Sequence, residues 1–220
     1  MTGPHQGQPV ARAGVPLSEA RAALLLIHGR GATAESILTL ADELHVPGVA
    51  CLAPQAAGYT WYPYRFLAPL EANEPGLSSG LARIGELVAE AETAGLAADR
   101  VVLLGFSQGA CLTLEFAARN PRRYGGVVGL SGGLIGPPGT PRDLEGSLDA
   151  TPVFLGCSDR DPHIPLQSVE ESADFLARLG GAVDKRIYPG MGHTVNADEM
   201  ARVREILLMV GSRSAPPAGP

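Results

Sequence analysis

The chain has 220 residues, 45% of them hydrophobic, which suits one domain with a full core. Its net charge is −6 and no long block of like charge occurs, which argues against nucleic acid or an anionic membrane surface as a partner. No apolar run is long enough to cross a bilayer, so integral membrane association is not expected.

Residues 1–9 are rich in Gly, Pro and Gln and lack the basic-then-apolar order of a signal peptide. They are expected to be mobile, as is the tail 212–220, which leaves 10–211 as a single domain. Three cysteines (Cys51, Cys111, Cys157) show neither C-x-x-C spacing nor a disulfide pattern. The expectation is buried free thiols, no metal site and a cytoplasmic setting.

Two strands are predicted over 10–12 and 22–28, joined by a turn at 14–19 as an antiparallel start. The second is apolar without alternation, as in a strand covered on both faces. Gly29-Arg30-Gly31 follows, then a helix over 33–45 with apolar residues at helical spacing and Thr33 or Ser36 as cap. A strand over 49–53 ends at Pro54. Residues 55–75 carry no regular pattern but concentrate Tyr59, Trp61, Tyr62, Tyr64 and Phe66 in a chain that is 5% aromatic. Long irregular segments in compact domains are functional or disordered, and aromatic density argues against disorder. An amphipathic helix spans 77–94, and an apolar strand runs from 101 to Gly105.

Gly105-Phe106-Ser107-Gln108-Gly109 joins that strand to a helix. This G-x-S-x-G, in strand–turn–helix context, is the pattern of a nucleophile elbow. A serine on so tight a turn needs glycine two places before and two after. Gly129-Leu130-Ser131-Gly132-Gly133 matches the same pattern, but the Gly and Pro residues of 134–139 forbid a helix after it. Ser107 is therefore the candidate nucleophile.

Further strands are predicted over 126–130, 153–157 and 183–188, with helices over 166–179 and 196–210, the last capped by Asn196. Residues 131–149 form a Gly/Pro-rich excursion. Strands alternating with helices imply a mostly parallel central sheet with helices on both faces, in the α/β class.

A serine hydroxyl needs a base to take its proton and an acid to orient that base. Of the five histidines, His5 falls in the N-terminal segment expected to be mobile, and His45 closes a helix. His28 supports a glycine-rich turn. His163 stands two residues from the best acid candidate, and one extended loop rarely supplies both partners. His193, in a late loop after a strand, is the candidate base. Asp159 and Asp161 both follow the strand 153–157. Asp161 is preferred because Pro162 fixes the local chain, while Asp159 suits a turn. The oxyanion donors are expected to be the backbone N–H groups of Gln108, after the nucleophile, and of Arg30, after the first parallel strand.

His28-Gly29-x-Gly31, Gly105–Gly109, Asp161-Pro162-His163-Ile164-Pro165 and Gly190-Met191-Gly192-His193 together resemble the phospholipase/carboxylesterase family of α/β-hydrolases. The similarity runs from about residue 22 to 208. The resemblance implies the α/β-hydrolase fold without a large lid domain, a cofactor-free enzyme and, in many members, a homodimer. It implies a Ser107–His193–Asp161 triad with Arg30 and Gln108 as oxyanion donors. The implied reaction is cleavage of small-molecule carboxylic esters, with thioesters, lysophospholipids or an aromatic intermediate as alternatives. A non-catalytic binding protein on this fold is a distant rival. Family thioesterases usually carry leucine where this chain has Arg30, whose guanidinium would either favour anionic substrates or point to solvent. Trp61, Tyr62, Tyr64, Phe66, His28 and Ile164 are the expected pocket residues.

Overall fold

The computed structural model describes residues 3–142 and 145–212. The expected tail is therefore outside the described residues except for Ser212. Seven strands form one sheet in the order β1-β3-β2-β4-β5-β6-β7. They are β1 (Val10–Gly14), β2 (Ala22–Ile27), β3 (Val49–Pro54), β4 (Val101–Phe106), β5 (Gly126–Leu130), β6 (Pro152–Ser158) and β7 (Ala182–Tyr188). Every neighbouring pair is parallel except β1 with β3.

Alternation along β2 explains both layers. Ala23, Leu25 and Ile27 face a core shared with α2 (Gly76–Thr93), α3 (Gln108–Arg119) and α4 (Leu166–Arg178). Ala22, Leu24 and Leu26 face a second core with α1 (Ala34–Leu44) and α5 (Ala197–Gly211). The strand is buried throughout, which is why its sequence is apolar at every position.

The chains leaving β2 and β4, which are adjacent, go to opposite faces, through α1 and α3 respectively. Their carboxyl ends therefore splay apart and open a crevice, the place where sheets of this kind hold ligands.

Two expectations are corrected. The first strand pairs antiparallel with β3, Val10 opposite Pro54 and Gly14 opposite Ala50, and forms no hairpin with β2. Both edges of β2 are already taken by parallel neighbours, and the half-exposed β1 suits the sheet's edge. Residues 3–9 pack against the body of the protein. His5 is 2% exposed, and its Nε2 lies 2.8 Å from the Trp61 carbonyl while Nδ1 accepts the Ala57 N–H at 3.1 Å. The side chain of Gln6 donates to the Ser79 carbonyl. Composition signalled mobility because it does not show that a single buried imidazole can anchor a polar segment.

The excursion after β5 is held by Glu115 of α3. Its buried carboxylate accepts the Ile135 N–H at 2.9 Å and pairs with Arg142 at 2.8 Å and Arg119 at 2.7 Å. All three thiols are buried and free, as expected from their apolar surroundings. No helix among the described residues is long and apolar enough to cross a membrane.

Candidate active site

Ser107 sits between β4 and α3 at φ 56° and ψ −119°, a backbone conformation that costs a non-glycine residue about 1–3 kcal/mol. The neighbouring glycines make it reachable. A methyl group on Gly105 would collide with the Gly109 backbone, and one on Gly109 would collide with the Ile27 carbonyl. The second contact seats the start of α3 directly on the end of β2, so the elbow and the Gly29–Gly31 loop are built against each other.

The structure brings Ser107, His193 and Asp161 together from three loops. Ser107 Oγ lies 2.9 Å from His193 Nε2, and His193 Nδ1 lies 2.7 Å from Asp161 Oδ2. An ionised carboxylate only accepts, so Nδ1 carries the proton and Nε2 is left to accept from the serine. The Asp161 side chain is inaccessible to solvent. Burial opposes its ionisation, yet hydrogen bonds from His193 and from the His163 and Ile164 N–H groups prevail and hold it below its usual pKa. The His193 ring is flanked by Phe106 (centroids 5.0 Å apart) and by His163 (4.8 Å, edge-on).

Asp159, the rival acid, does different work: it accepts the Gly190 N–H at 2.7 Å. Ser158 Oγ accepts the Gly192 N–H at 3.1 Å. Both glycines have positive φ, so the loop carrying His193 is curled by glycine and tethered to the end of β6. Ser131 is fully buried, and its hydroxyl lacks a partner among the described residues.

Among the described residues, neither the Arg30 N–H nor the Gln108 N–H donates to a protein acceptor. Gln108 is the first helical residue, so its N–H lies at the positive end of α3. The side chains of both residues turn to the aromatic loop. Gln108 accepts the Trp61 N–H at 2.9 Å and donates to the Tyr62 carbonyl at 2.8 Å. The Arg30 guanidinium donates to the carbonyls of Tyr62, Pro63 and Tyr64 at 2.9, 2.9 and 2.6 Å. Asn73 completes the hold, accepting the Tyr64 N–H and donating to the Arg65 carbonyl.

A cavity of about 570 Å³ opens over Ser107 and His193. Tyr62, Tyr64, Phe66 and Ile164 line it as expected, together with Arg30, Arg65, Phe106, Cys111 and His163. Cys111 lies one helical turn after Ser107, a spacing that could have flagged it. Burial pushes its thiol pKa up to about 12, so it serves as apolar wall.

Trp61 and His28 do not line the cavity, contrary to expectation. The Trp61 indole is fully buried between the rings of His5 and His28, and its N–H donates to the His28 carbonyl at 2.9 Å. His28 Nε2 accepts the Ala56 N–H, which leaves Nδ1 to donate to the Gly29 carbonyl at 2.7 Å. Burial lowers its pKa and keeps it neutral, a brace behind the Gly29–Gly31 turn. A larger hollow of about 810 Å³ lies beside β1 and α2, away from these groups.

A serine on a strand–helix turn, served by an imidazole and a carboxylate from later loops at the carboxyl ends of a mostly parallel sheet, marks an α/β-hydrolase fold. Within that fold the chain belongs to the phospholipase/carboxylesterase family, whose profile matches residues 11–210. A phospholipase/carboxylesterase from Dyadobacter fermentans superposes with a TM-score of 0.87 at 42% identity, covering 93% of this chain and 97% of that one. Acyl-protein thioesterase 1 of Gibberella zeae is 34% identical over 124 residues, which is 55% of this chain and 52% of the relative. The match thus spans about half of that relative's length. The Yarrowia lipolytica acyl-protein thioesterase 1 aligns over 201 residues at 27% identity, covering 83% and 88%.

Proposed function

We propose that the protein is a serine hydrolase that cleaves carboxylic esters, and thioesters by the same chemistry, through an acyl-enzyme. The observation that carries this reading is the hydrogen-bonded line from Ser107 through His193 to Asp161 at the floor of the cavity. Ser107 Oγ attacks the acyl carbon while His193 Nε2 takes its proton. Asp161 stays ionised, holds the Nδ1–H tautomer and stabilises the imidazolium. The N–H groups of Arg30 and Gln108, free of acceptors among the described residues, receive the oxyanion of the tetrahedral intermediate. His193 returns the proton to the leaving alcohol or thiol, then activates water to release the acid.

The thioesterase relatives support the thioester arm and the phospholipase/carboxylesterase neighbour the ester arm. One observation favours a second reading, hydrolysis of an aromatic ester: Tyr62, Phe66 and Phe106 line the cavity. The three free, buried thiols support a cytoplasmic working place.

A fluorophosphonate probe tests the proposal. Wild type is expected to be labelled and Ser107→Ala to stay silent. No labelling of folded wild type would make the protein a binder on a hydrolase fold. Aryl esters from acetate to palmitate, a thioester and a lysophospholipid then rank the substrates.

A further inference from the structure

The charge of the cavity is opposite to that of the chain. Arg30 and Arg65 line it and no Asp or Glu among the described residues does, although the protein as a whole carries −6. Asp161, the nearest acid in the hydrogen-bonded line, is shut behind His193 with no solvent access. The two guanidiniums are not equivalent. Arg30 spends three donors on the carbonyls of residues 62–64 and so acts as a clamp. Arg65 makes no side-chain hydrogen bond or ion pair among the described residues.

Its backbone, by contrast, is fixed. The Arg65 carbonyl accepts the Asn73 side-chain amide at 3.1 Å and the Ala68 N–H at 3.0 Å. The next residue, Phe66, is buried and accepts the Gly136 N–H at 2.7 Å. A free guanidinium on an anchored loop, at the rim of a cavity that no acid among the described residues lines, is built to meet an anion. A guanidinium presents planar donors that match carboxylate and phosphate oxygens. Low-dielectric walls focus the field of one-signed charge and raise the local concentration of the opposite sign.

We propose that Arg65 is a specificity residue and that the site prefers esters bearing their own oxyanionic group, a carboxylate or a phosphate, beyond the scissile bond. This rests on the hydrolase reading above and names its substrate class. Arg65 contacts neither the acyl carbon nor the triad; it reads the far end of the substrate, while Ser107 and His193 act on the ester itself.

The test compares matched pairs. 4-Nitrophenyl hydrogen adipate, with its anion on the acyl side, is set against its methyl ester. 4-(Butyryloxy)benzoate and 4-(butyryloxy)phenyl phosphate, with the anion on the alcohol side, are set against the methyl ester of the first and the dimethyl ester of the second. At least one anionic member is expected to exceed its neutral twin by about fivefold in kcat/KM, the upper scale of an exposed ion pair, mainly through KM. The arm that shows it identifies carboxylate or phosphate and the side of the bond. Arg65→Ala is expected to abolish the preference and Arg65→Glu to invert it. Each variant is read as the ratio within a matched pair, which a general loss of rate leaves unchanged, and rising salt should erase the wild-type preference. Equal rates across every pair, or a preference intact in Arg65→Glu, overturns the inference while leaving the hydrolase standing. Failure to cleave any ester, neutral ones included, overturns the hydrolase reading and this inference with it.

Discussion

The side chains of Arg30 and Gln108 converge on a single atom, the carbonyl oxygen of Tyr62, from 2.9 and 2.8 Å. These are the two residues whose backbone N–H groups are proposed to receive the oxyanion. The wall of the cavity and the proposed oxyanion donors are therefore one mechanical unit, and the aromatic loop cannot shift without tugging on both. Gln108→Ala strips partners from the buried Trp61 N–H and leaves the Tyr62 carbonyl half-served, a loss on the order of 1–3 kcal/mol. Arg30→Met uncovers carbonyls that water can reach at Pro63 and Tyr64, so its cost is expected to be smaller, about 1 kcal/mol or less. Denaturant midpoints rank the two. Both variants keep their backbone N–H and are expected to retain fluorophosphonate labelling.

If Ser107, His193 and Asp161 act as a unit, their losses do not add. Ser107→Ala or His193→Ala should each lower kcat by roughly 10⁴–10⁶, and the double variant should be little worse than either. Asp161→Asn keeps the shape but cannot hold the Nδ1–H tautomer, and about a 10⁴-fold loss is expected. Steady-state rates on one aryl ester give all four values. A double variant that multiplies the single losses would break the unit apart.

Glu199 gives the fold a pH dependence of unusual sign. Its side chain is buried in the first turn of α5; burial raises its pKa, the Asn196 N–H opposes this, and the charge of Asp198 adds to it, for a value of about 7. One carboxylate oxygen accepts the Asn196 N–H at 2.8 Å while the other lacks a partner among the described residues. The folded state thus holds a proton that the unfolded chain releases near 4.5, so stability falls as pH rises from 4.5 to about 7. The loss amounts to about 2–3 kcal/mol. Glu199→Gln cannot ionise. Its stability relative to wild type, from urea midpoints at pH 5 and pH 8, should move in the variant's favour by about that amount. No change in the difference between the two pH values would refute this.

Two classes of glycine should respond differently to a single methyl group. Gly109→Ala drives a Cβ into the Ile27 carbonyl, backbone against backbone, and is expected to prevent folding or cost well over 3 kcal/mol. Gly190 has open space around it but φ of 66°, so Gly190→Ala should cost about 1 kcal/mol through the left-handed conformation alone. Thermal midpoints separate them. Gly190→Ala also bears on the His193 loop and should lower kcat without unfolding the protein.

What could be read from sequence was whatever steric necessity writes into fixed spacing. The elbow needs glycine at two set positions around Ser107, and the capping box of α5 needs Asn196 three residues before Glu199, so both were legible. Asp161 and Asp159 sit on the same loop with similar local chemistry. Only the three-dimensional path shows that one faces His193 and the other the Gly190 N–H. The partner of β1 was hidden because pairing with β3 is decided by which sheet edge is left vacant, a property of the whole fold. Trp61 was misplaced for a related reason. An irregular loop has no period to say which ring turns inward, and the largest ring went to the core while Tyr64 stayed 59% exposed.

The seat of Trp61 also joins distant parts of the chain. Its indole is gripped by one imidazole from residue 5 and another from residue 28, and the second of these directly follows β2 on the way to Arg30. A protease that clipped the polypeptide just before Pro9 would leave the sheet intact yet remove one jaw of that grip. The damage would be felt some twenty residues downstream, as slack in the turn proposed to seat an ester carbonyl.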